Sequence, residues 1–217
     1  MKRITIFYAT RSPFKKEELD IIASEVDFTD ALGKRHRIGE LVDFRVSDIR
    51  TDEPLEIDLN EMVRHKVRSA YRGLLAPCIV EHAGLILDAH SATGFPGGLT
   101  QPMWDALTVS EFLARTGSAG EGATARAVVG FCDGMRVNTF IGDTHGTLAM
   151  AARGSRDFYW DPIFCPDGGG GKTYAEITES GADGLKQKLL ISQSAKALSE
   201  FASFLARQDD SGLFELG

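Results

Sequence analysis

The sequence predicts an α/β domain with a mixed β-sheet. Over the first half of the chain, short β-rich runs alternate with helical periodicities, the pattern of a sheet with helices packed on it. In the second half, strand-like runs at 124–132, 135–141 and 146–152 follow one another with no helix between them. Asp133-Gly134 and Gly142-Asp143 separate these runs. Asp-Gly between apolar segments is a hairpin signal, so the three read as an antiparallel meander. The length, 217 residues, suits one large domain or two lobes sharing a sheet. We expect a single domain over 1–207 and a polar tail over 208–217.

Each element has a local reason. Residues 3–9 alternate and are rich in Ile, Thr, Phe and Tyr, as a strand requires. Ser12 is an N-cap residue and Pro13 fits a first helical position, so a helix is expected from there to about Ser24, burying Leu19, Ile21 and Ile22. Residues 38–46 read as a second strand, and 50–58 as an acidic, irregular segment. Over 59–75, Leu59, Met62, Val63, Val67 and Ala70 recur at helical spacing, and Pro77 stops the run. Residues 78–81 and 85–89 read as two short strands. A Gly/Pro loop over 91–100 then leads to a helix over 101–115 around Trp104, Leu107 and Phe112. A last helix is expected over about 183–206.

The charge balance bears on function. With a net charge of −7, the chain lacks the basic stripe of a nucleic-acid binder. No apolar run approaches the ~20 residues of a membrane helix, and Met1-Lys2-Arg3 runs straight into strand-like sequence. Cys78, Cys132 and Cys165 are scattered and show no CxxC spacing, which argues against a disulfide framework or a structural zinc. The expected setting is the reducing cytoplasm.

Four segments carry residues capable of chemistry. Thr10, Ser12 and Lys15 surround an expected helix N-terminus, where backbone N–H groups and an ammonium favour anions; the same residues also make an ordinary capped surface helix. Asp52, Glu53, Glu56, Asp58 and Glu61 supply oxygen ligands of the kind Mg²⁺ takes, and equally suit a solvated loop and helix start. Phe158-Tyr159-Trp160-Asp161-Pro162-Ile163-Phe164 offers rings for stacking on a base, or for core packing. The run Gly168-Gly169-Gly170-Gly171-Lys172-Thr173 invites a phosphate-loop reading, but the first glycine of that motif would fall on Pro166; we read a flexible loop.

Taken together, these segments resemble the Ham1/inosine triphosphate pyrophosphatase family over about residues 4–205. Its members hydrolyse nucleoside triphosphates to monophosphate and pyrophosphate. The likeness rests on Thr10-x-Ser12-x-x-Lys15, on Glu61 and Lys66 five residues apart, and on Gly94-Phe95-Pro96-Gly97. It continues through Trp160-Asp161-Pro162-Ile163-Phe164 and Lys188-x-x-x-Ser192. It implies an elongated mixed sheet with two lobes around a nucleotide cleft, a divalent cofactor (Mg²⁺), a nucleoside triphosphate as partner, and a homodimer. By the same resemblance, Thr10, Ser12, Lys15 and Lys66 hold the triphosphate, and Glu53 and Glu81 hold the metal. Phe158 stacks on the base, with Trp160, Asp161, Lys188, Ser192 and Gln193 around it.

The pattern departs from the family at two places. The second acid of the family's acid pair is His82, and its hydroxyl neighbour is Ala83. Histidine serves as a general base near neutral pH, yet it suits Mn²⁺ better than Mg²⁺. Three readings follow: His82 takes the proton of the attacking water, or recruits a softer metal, or marks a degenerate site in a nucleotide-binding or partner-binding protein. The family's His-Arg pair, which reads a 6-oxo group, is replaced by Gln193-Ser194. Glutamine is both donor and acceptor, so the family's base preference does not carry over. An exposed polar helix face is the plain alternative for this pair.

Overall fold

The computed structural model of the protein describes residues 3–116, 119–156 and 159–209. Strand β1 (Ile4–Ala9) leads through Ser12 into helix α1 (Pro13–Glu25). The hairpin β2 (Asp27–Thr29) and β3 (Arg35–Arg37) comes next, then one helical turn α2 (Ile38–Leu41) and strand β4 (Val42–Ser47). The expected second strand at 38–46 is therefore half right: Ile38 and Leu41 bury as a single helical turn before the chain extends. Helix α3 (Leu59–Leu74) buries all five residues assigned to its inner face, with Asp58 as N-cap and Leu75 as a left-handed C-cap.

Strand β5 (Cys78–Leu87) is one continuous strand, not two. The polar and small residues Glu81-His82-Ala83-Gly84 interrupt the apolar run in sequence, but the ladder with the next strand runs through them without a break. Gly84 is needed for packing, because a Cβ there would collide with the carbonyl of Gly97 in the following loop. The expected helix at 101–115 is two short ones, α4 (Thr100–Ala106) and α5 (Val109–Thr116).

The meander contains two long strands, β6 (Gly122–Cys132) and β7 (Val137–Leu148), joined at the expected Asp133-Gly134 turn. Gly142-Asp143 is not a turn. Asp143 lies opposite Arg126 in the ladder and accepts a bidentate pair from its guanidinium at 2.8 and 2.7 Å. Strand β8 (Phe164–Pro166), helix α6 (Tyr174–Thr178), helix α7 (Gly184–Ile191) and helix α8 (Gln193–Asp209) complete the chain. The last helix of the sequence reading is thus broken at Ser192. Helix α8 also takes in Gln208 and Asp209, which the sequence reading assigned to a tail; the rest of that tail lies outside the described residues.

The main sheet runs β4-β1-β5-β6-β7-β8, parallel across β4-β1-β5 and antiparallel beyond. Its core has two ends. Ile79 of β5 joins Val129 and Phe131 of β6 against α8, and Cys78 and Val80 face α3 on the opposite side. Leu85 and Leu87, with Ala123 and Ala125, pack instead with Trp104, Phe112, Trp160 and Phe164. This gives two lobes on one sheet. Glu81 and His82 fall where β5 passes from one lobe to the other. The three cysteines are free, and Cys78 faces Cys132 directly across β5 and β6, a proximity their sequence spacing hides.

Candidate active site

A cleft of about 540 Å³ opens over this junction. One wall comes from the carboxyl ends of the adjacent parallel strands β1 and β4, where open α/β sheets bind ligands. Ser12 caps α1, its Oγ accepting the Lys15 N–H at 3.5 Å, and its own N–H donates to Thr10 Oγ1 at 3.2 Å. Lys15 therefore leaves the first turn of α1 with its ammonium over β5, donating to the Glu81 carbonyl at 3.2 Å. Lys66, on the polar face of α3, reaches the same carbonyl at 3.2 Å.

Glu81 is the hub. Its Oε2 accepts from Tyr8 at 2.8 Å and its Oε1 from Ser194 at 2.7 Å, with the Lys15 ammonium 3.3 Å away. Burial raises its pKa, but Lys15 and the bonds from Ser194 and Tyr8 outweigh that and hold it below the usual glutamate value. Glu53 pairs with Lys66 at 2.5 Å and lies 3.7 Å from His82 Nδ1. Burial opposes its charge, but Lys66 and His82 prevail and its pKa is lowered. Lys66 itself is lowered by burial, against the pull of Glu53.

His82 is inside the strand, not at its end. Its Nε2 is buried without a hydrogen-bond partner among the described residues. Burial, then Lys66 and Lys15, push its pKa down to about 3, so the ring is neutral at neutral pH. Among the described residues no three His, Cys, Asp or Glu side chains gather to hold a metal ion. The donors fit a cation that arrives on phosphate: Glu53 is the half-exposed carboxylate at the mouth, whereas both oxygens of Glu81 are already engaged.

The other wall joins residues 159–161, α7 and the start of α8. Lys188 lies between Asp161 at 2.7 Å and Glu18 at 3.1 Å, with Lys188 and Asp161 buried and Glu18 partly buried. Burial works against the ammonium, but Asp161 and Glu18 together raise its pKa, while burial raises those of both carboxyls. Trp160 lines the cleft and packs edge-on against Phe164 in the core. Ser192 ends α7, and its Oγ accepts the Ala195 N–H at 3.2 Å, capping α8. Gln193 and Ser194 are consequently buried in the first turn of α8 and line the cleft, so the exposed-face alternative for them is wrong. Gln193 Oε1 accepts from Tyr174 at 3.0 Å.

The structure brings together Thr10, Ser12, Lys15, Glu53, Lys66, Glu81, His82, Trp160, Asp161, Lys188, Ser192 and Gln193. Phe158 lies outside the described residues. Sequence reasoning missed Glu18 and Tyr8, and gave Tyr159 only as one ring of the aromatic run. Tyr159 has φ +44° and its hydroxyl meets Ser12 Oγ at 3.2 Å, bridging the two walls. That left-handed conformation, beside residues already singled out, left no trace in composition or spacing. The Gly168–Lys172 run does not line the cleft; it forms the loop before α6.

Comparison with known proteins gives a consistent result. The chain is 33% identical over 183 residues to the dITP/XTP pyrophosphatase of Methanopyrus kandleri, covering 81% of this chain and 93% of that one. It is 33% identical over 174 residues to the inosine triphosphate pyrophosphatase 2 of Trypanosoma cruzi, covering 75% and 78%. The fold matches a HAM1 protein from Coxiella burnetii with a TM-score of 0.68 at 19% identity, over 93% of this chain and 98% of that one. The model of the Ham1 family matches residues 6–204, and this chain belongs to that family.

Proposed function

We propose that this chain is a cytoplasmic nucleoside triphosphate pyrophosphatase that releases pyrophosphate and leaves the monophosphate. The observation that carries the reading is the shared cleft. The anion-holding turn around Thr10, Ser12 and Lys15 and the wall formed by Trp160, Asp161, Lys188 and Gln193 line one hollow. The pyrophosphatase names of its relatives support the same activity. Three free cysteines suit a reducing compartment, and no helix among the described residues is long and apolar enough to cross a membrane. We also propose a homodimer, on the family resemblance.

In this reading, Lys15, Lys66, Thr10 and Ser12 hold the phosphates, and Phe158 stacks on the base beside Trp160. Water attacks the α-phosphorus, the bond to the bridging oxygen breaks, pyrophosphate leaves, and the water proton passes to His82 Nε2. The neutral ring has a lone pair for that proton. Bound phosphate opposes Lys15 and Lys66, which raises the basicity of His82 in the complex. When bound, a divalent cation supplies charge neutralisation on the phosphates. Glu53 would hold it, and the imidazole beside it suits Mn²⁺ better than Mg²⁺. Glu81 positions Lys15.

Base selection falls to Gln193 in place of the family's His-Arg pair. Gln193 spends its carbonyl on Tyr174, which leaves its amide N–H groups to meet a base carbonyl, a neutral donor at the place of the family's cationic pair. The test is pyrophosphate release from a panel of ribo- and deoxynucleoside triphosphates with Mg²⁺ or Mn²⁺. Turnover of at least one is expected, and none at all refutes the reading. A second reading, a degenerate nucleotide-binding protein, is favoured by one observation: His82 titrates at about 3, far below the working range of a general base. The His82→Asp variant separates the two. Turnover gained from nothing supports dormancy, and turnover lost from a measurable rate supports a working histidine.

A further inference from the structure

The charges of the cleft point to a pair of residues that the family likeness does not name. Each carboxylate lining the cleft is already matched to a lysine: Glu81 to Lys15, Glu53 to Lys66, and both Glu18 and Asp161 to Lys188. The two remaining cations of the lining, Arg11 and Arg50, have no ion pair or hydrogen bond among the described residues. They stand on neighbouring loops. Arg11 follows β1 and Arg50 follows β4, and the two strands pair in parallel up to Ala9 opposite Ser47. The strand order β4-β1-β5 places both loops on the far side of Glu81 and His82 from the strands β6 and β7 that α8 and Gln193 pack on. The unmatched positive charge therefore sits on the β4–β1 side of the cleft, with Arg11 one residue before Ser12, whose hydroxyl meets Tyr159.

Resting on the pyrophosphatase reading, we propose that Arg11 and Arg50 form a two-armed clamp on the terminal phosphates, selecting ligands with a chain of three or more. The charge count supports it. Lys15 and Lys66 are each neutralised by a glutamate, so they bring no net charge to a bound triphosphate of about −4. A divalent cation supplies +2 and the two guanidinia a further +2; the one carboxylate in excess belongs to the Glu18–Lys188–Asp161 group. Guanidinium forks match phosphate oxygens in pairs, which an ammonium does not. Both side chains are exposed and unpaired, so no existing contact has to break before they close on a ligand.

The experiment is titration calorimetry with a non-hydrolysable α,β-methylene triphosphate, and with the corresponding mono- and diphosphates, alongside steady-state kinetics. Arg11→Ala and Arg50→Ala are each expected to weaken triphosphate binding about tenfold to a hundredfold, to change monophosphate binding less than about twofold, and to act on KM more than on kcat. Arg→Lys variants recover part of the loss. Thermal melting of the free proteins stays unchanged, as befits exposed side chains. If wild type binds triphosphates and the double variant binds them equally well, or loses mono- and triphosphate alike, the clamp is refuted while the pyrophosphatase reading stands. If wild type binds and turns over no triphosphate, both fall together.

Discussion

The Ser194 hydroxyl donates a 2.7 Å hydrogen bond to the Glu81 carboxylate, 113 residues earlier in the chain. It ties the first turn of the last helix to the middle of β5, inside the cleft. On the other carboxylate oxygen, Tyr8 makes the matching bond from β1. Glu81 is buried and ionised, so each donor stabilises a charge that water cannot reach. Tyr8→Phe and Ser194→Ala are each expected to cost about 1.5–3 kcal/mol, measured as the midpoint shift in urea unfolding. Equal midpoints for wild type and both variants would contradict this account of Glu81.

Lys188 carries a larger share of stability. Replacing it with methionine leaves the buried Asp161 and the partly buried Glu18 without a cation, at an expected cost of about 3–5 kcal/mol at neutral pH. The sign with pH follows from the two carboxyls. Burial already raises both folded-state values, and loss of the ammonium raises them further. Their protonated forms are then favoured by folding, so the variant is most stable below the ordinary carboxylate range and loses stability as pH rises through the raised values. Unfolding curves of Lys188→Met at pH 5 and pH 8 should show it more stable at pH 5.

On the pyrophosphatase reading, His82 is expected to set the rate rather than the affinity. His82→Gln keeps a side chain of similar reach but removes the basic nitrogen. We expect kcat to fall about 10²–10⁴-fold with KM little changed. A fall confined to KM would make the residue a binding group instead.

Gln193 is expected to govern base choice. Gln193→Ala should lower kcat/KM for the best nucleotide by about 1–3 kcal/mol, roughly fivefold to 150-fold, and narrow the spread across the panel. An unchanged ranking with an unchanged spread would remove Gln193 from base selection.

Much of the fold was legible in the sequence because local and tertiary signals agreed. Ser12-Pro13 capped α1, the five apolar positions of α3 all turned inward, and Asp133-Gly134 made its hairpin. The misreadings share one cause, a local signal overridden by a distant partner. Gly142-Asp143 looks like a turn, but Arg126 holds Asp143 in the ladder. Glu81-His82 looks like the end of a strand, but its polar atoms face the lobe junction. The break at Ser192 involves no proline or glycine; a serine able to cap the next turn was the available sign. In the site, Lys15, Lys66 and Lys188 were legible through the family pattern. Glu18 reads as an ordinary acid on an amphipathic helix until Lys188, 170 residues later, covers it.

Gly142 admits the start of α8 against β7, since a Cβ there would collide with the Gln193 carbonyl, while the far half of that helix is fixed among Phe131, Phe140 and Phe201. Gln193 and Ser194 thus stand at one end of a rod clamped along its length. The two side chains at that end are themselves tied to other elements, Ser194 to Glu81 and Gln193 to Tyr174, so a change of recognition there is felt by the frame as well.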